Sequence, residues 1–155
     1  MNKKLKVLMV VSNLSVASGV SSFVMNYFRN LTPEEITIDF VVYKDMQNPY
    51  YEEIKRAGGK VFFVPAIRNI RKHRLISKKI IAEGNYDIVH DNILMLSYFI
   101  MYYAKRYNVP VRILHSHNSK LGEIYMKEVR NKAMYAFIVS ILSTSINFVI
   151  ALNFA

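Results

Sequence analysis

Short apolar runs in this sequence alternate with segments whose apolar residues recur at helical spacing, and they do so five times over. Residues 7–11, 36–43, 61–64, 86–90 and 111–115 are rich in Val, Ile and Phe and read as strands. Several are almost continuously apolar, the pattern of strands covered on both faces. Between them, Val20, Phe23, Val24, Tyr27, Phe28 and Leu31 mark a first helix that opens at Gly19. A second helix is expected over 49–57, with Pro49 in its first turn and Gly58-Gly59 closing it. Further helices are expected over 68–83 and 94–106, and a sixth strand over 147–152. Such an order predicts an α/β fold: a Rossmann-like, doubly wound parallel sheet of about six strands, with right-handed crossovers and helices on both faces. The reading takes residues 1–155 as one domain, without internal repeat or linker.

Hydrophobic residues make up 52% of the chain, too many for a disordered one. There is no cysteine, which excludes disulfides and thiolate metal sites and fits a reducing compartment. Lys4 and Lys3 before an apolar run imitate a signal peptide, but Lys6 interrupts the run, and a strand is the better reading. Twenty-one Lys and Arg against 11 Asp and Glu leave a charge of +10, which points to an anionic partner: nucleic acid, an acidic membrane surface or a phosphorylated ligand.

In open α/β sheets ligands bind at the carboxyl ends of the strands. There the first strand leads through Ser12 and Asn13 to Ser18-Gly19-Val20, a small-residue loop opening a helix. Its free amides and dipole suit a phosphate. Neither the dinucleotide fingerprint G-x-G-x-x-G nor the P-loop is present. The fourth strand ends at His90-Asp91-Asn92 and the fifth at His115-Ser116-His117-Asn118-Ser119, so three of the four histidines converge on one edge. A histidine there serves as a general base or holds a hydroxyl by hydrogen bond. Asn118 or Ser119 would equally cap the next helix. No carboxylate is clearly placed beside the histidines, so no metal site is expected. No serine nucleophile elbow occurs.

The expected helix over 68–83 is basic. Ile70, Leu75, Ile76, Ile80 and Ile81 would form its apolar side, Arg68, Arg71, Lys72, Arg74, Lys78 and Lys79 the rest, and His73 is expected on its surface. Such a cluster suits a phosphate-bearing surface. From Ala133 to Ala155 no charged residue occurs, which by length permits a membrane span. Ser140, Ser143, Thr144, Ser145, Asn147 and Asn153 interrupt it, so a helix ending near Thr144 followed by a strand is preferred.

Three segments resemble the N-terminal domain of family 4 glycosyltransferases of the GT-B fold, especially bacterial capsule and exopolysaccharide enzymes. Ser18-Gly19-Val20-Ser21-Ser22-Phe23-Val24-Met25-Asn26 is similar to the family's Gly-Gly-Val-Glu-x-Phe-Val-Met-Asn turn. Tyr86-Asp87-Ile88-Val89-His90 matches its Tyr-Asp-Ile-Val-His strand. The run from Val109 through Ser119 is close to a Pro-x-Arg-Ile-x-His-Ser-His-Asn segment. Ser18, Ser21 and Asn92 depart from the Gly, Glu and His common in these enzymes, and Ala151-Leu152-Asn153 departs from the Ser-bearing loop that follows the sixth strand.

The resemblance implies the acceptor-side half of a two-domain, retaining, metal-free enzyme using a UDP- or GDP-sugar. It places Ser18, Gly19 and Val20 near the donor diphosphate and His115 or His117 at the reacting sugar, as catalytic residues. Asn13, His90, Asn92, Ser116, Asn118 and Ser119 would line the acceptor-side cleft. No cofactor is implied beyond the nucleotide-sugar substrate. The donor domain with its E-x7-E motif has no counterpart within residues 1–155, so a truncated product or one piece of a split enzyme, inactive alone, is expected. The location implied is cytoplasmic, peripheral on the inner face of the membrane, near lipid-linked acceptors. Two other classes stay open: a non-catalytic subunit that binds a partner through an apolar surface, and a basic nucleic-acid binder. The second is disfavoured because aromatic and basic residues do not interleave.

Overall fold

In chain order the elements are β1 (Leu5–Val11), α1 (Gly19–Asn30), β2 (Ile36–Val42), α2 (Pro49–Arg56), β3 (Val61–Phe63), a 3-10 turn (Ile67–Asn69), α3 (Ile70–Gly84), β4 (Ile88–Asp91), a second 3-10 turn (Leu94–Ser97), α4 (Tyr98–Arg106), β5 (Val111–Ser116) and β6 (Phe148–Leu152). This computed structural model describes residues 3–31, 34–44, 49–116 and 148–152. The helix expected to end near Thr144 lies outside them.

All strand pairs are parallel, in the order β3-β2-β1-β4-β5-β6. The order reverses between β1 and β4, which makes their carboxyl ends the switch point of a doubly wound sheet. Alternate residues of β1 serve opposite faces. Leu8 and Val10 join a core with Ile80, Ile81, Ile100 and Met101 of α3 and α4. Val7, Met9 and Val11 join the other core with Val24, Met25 and Ile54 of α1 and α2. Helices therefore cover both faces, as the continuous apolar runs predict.

The segment Tyr86-Asp87-Ile88-Val89-His90 fixes the sheet's centre. The Asp87 carboxylate accepts from the Lys6 amide at 2.9 Å and from Lys3 Nζ at 2.5 Å, and the Asp87 amide donates to the Lys6 carbonyl at 2.8 Å. Both directions of bonding to Lys6 set the register in which Met9 faces His90. The Tyr86 hydroxyl donates at 2.9 Å to Asp39, a buried carboxylate on β2 that also accepts from the Lys60 amide. Burial, then the charge of Asp39, pushes the Tyr86 phenol far up from its usual value. A Cβ on Gly84 would sit 1.9 Å from the Tyr86 ring, so only glycine lets α3 end against that ring. After α2, Gly58 takes a φ of 83° and Gly59 lies where a Cβ would meet the Ile38 carbonyl at 2.2 Å, which accounts for the pair.

Four expectations are corrected. His73 is wholly buried instead of on the surface. The inner face of α3 is His73, Ser77, Ile80, Ile81 and Gly84, while Ile70 and Leu75, expected inside, are 54% and 67% exposed. The reason is chemical. The His73 ring lies 5.5 Å from that of Tyr43 and 5.6 Å from that of Phe99, and its Nδ1–H donates to the Pro65 carbonyl at 2.8 Å, so one ring nitrogen has a partner inside while Nε2 is buried without one, and ring packing supplies the rest. The helix expected over 94–106 opens as a 3-10 turn, because the buried Asp91 carboxylate draws in both the Ile93 amide and the Ser97 hydroxyl. The strand expected from Tyr86 begins only at Ile88, Tyr86 and Asp87 being committed to Asp39 and Lys6.

The Asp87 carboxyl is held below the usual range, first by Lys3 and then by the Lys6 amide. A depressed folded value contributes stability above the unfolded one, about 4, and loses it as pH falls through the folded value. Asp87→Asn should therefore be weaker than wild type at neutral pH by about 1 kcal/mol, the exposed Lys3 half being screened. In urea unfolding the difference should shrink below about pH 4, and a difference independent of pH would refute the assignment.

Candidate functional site

The rim formed by the carboxyl ends of β1, β4 and β5 carries the polar residues singled out above. His90 and Ile113 are register partners, and His115, two residues further along β5, faces the same side as both. Nε2 of His90 lies 3.3 Å from Nδ1 of His115, with the rings stacked at 5.5 Å and 12°. One nitrogen donates and the other accepts, so a single proton is held between the rings. His115 is 6% exposed and His90 half-buried. The Phe23 ring of α1 meets His115 edge-on at 5.5 Å, so the first helix and the fifth strand close on one another here. This arrangement can relay a proton or offer an imidazole edge to a hydroxyl.

The loop leaving β1 is built by its own hydrogen bonds. Asn13 Oδ1 accepts from the Ser15 amide at 2.9 Å, the Ser18 amide donates to the Ser15 carbonyl at 3.0 Å, and Ser18 Oγ caps α1 at the Ser21 amide. Ser21 is fully buried, and its hydroxyl donates to the Asn13 carbonyl at 2.8 Å. Leu14, also fully buried, pins the loop into the α1–α2 core. Gly19 stands at the mouth of this loop. Nothing lies within 4 Å of a Cβ built there, and its φ is not positive, so neither backbone nor neighbours within the described residues require glycine. By helix geometry the first amides of α1 lack intrahelical acceptors, and of these the Ser21 amide is met by Ser18 Oγ.

Asn92 closes the end of the switch point. Its amide donates to the Val10 carbonyl at 3.0 Å, and its buried side-chain Nδ2 reaches the same oxygen at 3.3 Å and the His90 carbonyl at 3.4 Å. Asp91 points to the opposite face from His90. Tyr43 lies within range of its charge. Burial, then the Asp91 charge, pushes the Tyr43 phenol far above its usual value. Among the described residues no group of three His, Cys, Asp or Glu could hold a metal, and no helix is long and apolar enough to cross a membrane.

Asn13, Ser18, Gly19, Val20, His90, Asn92 and His115 thus occupy the strand tips and the β1–α1 loop, and Ser116 ends β5. His117, Asn118 and Ser119 lie outside the described residues. Two residues were passed over in the sequence. Phe23 stands in the sequence as an apolar helix position that matches the family's Phe, and Ser21 as a departure from its Glu, and neither fact announces the contacts they make here.

Ser21→Ala should lower stability by about 1 kcal/mol and leave the Asn13 carbonyl without its internal donor. Amide exchange should quicken at Ser15 and Ser18 before it quickens in β1. Unchanged exchange in the loop would show that Ser21 does not hold it.

No protein-family model matches the sequence. Over 117 residues the chain is 33% identical to the protein named "Putative glycosyltransferase EpsF" of Bacillus subtilis (strain 168). The match takes in 74% of this chain but 30% of that protein, so the chain spans under a third of the length of this curated relative. It supports kinship with a glycosyltransferase sequence.

Proposed function

We propose that residues 1–155 form the acceptor-side half of a retaining, GT-B-type glycosyltransferase. It moves a sugar from a UDP- or GDP-sugar to a glycan or lipid-linked acceptor in surface polysaccharide synthesis. One observation carries the reading. The start of α1 and the histidine-bearing tips of β4 and β5 close on each other at the switch point, through Phe23 against His115 and His115 against His90. Kinship with EpsF agrees with it.

In the transfer, the acceptor hydroxyl oxygen bonds to the anomeric carbon while the bond from that carbon to the diphosphate oxygen breaks. The departing diphosphate oxygen takes the electron pair of the broken bond, negative charge grows on it, and it accepts the hydroxyl proton. Amides at the mouth of α1 meet that charge, and the bare Gly19 lets a phosphate come close. His115 or His117 approaches the reacting sugar. His90 holds the His115 ring in place by the 3.3 Å contact, and Asn13 with Ser116, Asn118 and Ser119 borders the acceptor. Asn92 acts on this cleft by locking β1 to β4.

The test is a chimera in which this chain replaces the matching segment of EpsF, assayed for transfer of labelled sugar from UDP- and GDP-sugars to membrane lipid extracts. His115→Ala or His117→Ala should lower transfer by about a hundredfold or more. Full activity in both single variants would remove histidine from the mechanism. Gly19→Ala should leave unfolding stability within about 0.5 kcal/mol of wild type, yet weaken UDP binding to the chimera. UDP affinity unaffected by that substitution would take the α1 turn out of the donor site.

A further inference from the structure

We infer that the outward face of α3 docks on an anionic lipid bilayer, with Leu75 as an apolar tip ringed by Arg71, Lys72, Lys78 and Lys79. In a helix, residues three and four apart are surface neighbours, and these four cations stand at those distances on either side of Leu75. Leu75 is 67% exposed, and one to two turns nearer the helix start Ile70 and Ile67 are 54% and 45% exposed. From Ile67 to Gly84 there are six Lys and Arg against one acid, Glu83 in the last turn. Among the described residues, the ion pairs join Lys3 to Asp87, Lys6 to Asp39 and Arg29 to Glu53, and none involves α3. Arg74 is the exception in orientation, its Nε donating inward to the Tyr103 hydroxyl at 3.0 Å.

An ordinary solvated helix mixes both signs and keeps its leucines inside. This one is strongly of one sign, with Glu83 its one acid, and sets Leu75 among the cations. A bilayer of anionic lipids satisfies both halves of that pattern: phosphates meet the cations while Leu75 enters the headgroup–acyl boundary. An open concavity of about 540 Å³ lined by Ala66, Arg68, Asn69, Ile70 and Arg71 gives a headgroup phosphate two guanidinium partners. His73, Ser77, Ile80 and Ile81 fix the opposite side of α3 in the fold, so the helix is formed before contact and no folding cost opposes binding. The 67–72 stretch follows β3 and so begins toward the carboxyl rim, but α3 packs on the Leu8–Val10 face of the sheet, opposite the α1 face that carries the histidine pair. Docking would hold the chain beside the bilayer with the histidine face turned away from the contact. Its use, keeping the chain near a lipid-linked acceptor, rests on the glycosyltransferase reading. The docking itself does not.

The 155-residue chain, floated with vesicles, should bind phosphatidylcholine containing phosphatidylglycerol and not phosphatidylcholine alone. Arg71→Gln with Lys78→Gln should weaken binding by about fivefold for each charge, and Leu75→Ser by roughly tenfold. The control Lys44→Gln with Lys55→Gln removes as much charge from elsewhere and should change binding much less. All these side chains are exposed, and circular dichroism should confirm unchanged folding. Failure to bind anionic vesicles would overturn the proposal, as would an equal loss in the control. So would tight binding of single-stranded RNA that is indifferent to Leu75→Ser, which would point to nucleic acid instead. Sugar transfer by the EpsF chimera, retained when vesicle binding is absent, would sink the docking and leave the enzyme reading standing. Vesicle binding without transfer would do the reverse.

Discussion

The pairing of β1 with β4 is the contact on which the rest of the molecule depends. It joins strands 81 or more residues apart in the chain, and it is fastened at both ends by side chains as well as backbone. At the foot, Asp87 both gives to and takes from the Lys6 peptide. At the top, Asn92 places two donors on one carbonyl, that of Val10. A slip of one residue would turn every side chain of β4 to the wrong face, exchanging His90 for Asp91 at the cleft. Between the two fasteners the strands are free to be almost wholly apolar, and they feed two cores at once.

The candidate site follows from that pairing. With Met9 facing His90 and His90 facing Ile113, the next residue of β5 on the same side is His115, within reach of the His90 ring. On the opposite side Asp91 gathers Ile93 and Ser97 into a tight turn. The two faces of one strand tip therefore do different work. One presents imidazoles toward α1, and the other stiffens the backbone behind them.

The fold was legible because its signal is periodic and repeated. Strand runs of Val and Ile with helical spacing between them leave few topologies once right-handed crossovers are required. The strand edge that gathers histidines could be read for the same reason. His73 could not. Its partners, Tyr43, Phe99 and the Pro65 carbonyl, come from three other parts of the chain, and no local pattern announces them. Taking histidine as polar and isoleucine as apolar rotated the presumed inner face of α3 toward Ile70 and Leu75. Phe23 was hidden differently: its spacing marked it correctly as facing the sheet, but not that the surface beneath was an imidazole.

Gly84 gives the fold a mechanical property. The Tyr86 ring rests on the backbone of Gly84, its hydroxyl is tethered to Asp39, and two residues later the chain enters β4. The last turn of α3 and the root of β4 therefore behave as one stiff piece, with the imidazole of His90 at its far tip. A push that tilts the outer helix has no soft joint at Gly84 in which to dissipate, and would be felt as a displacement along the strand.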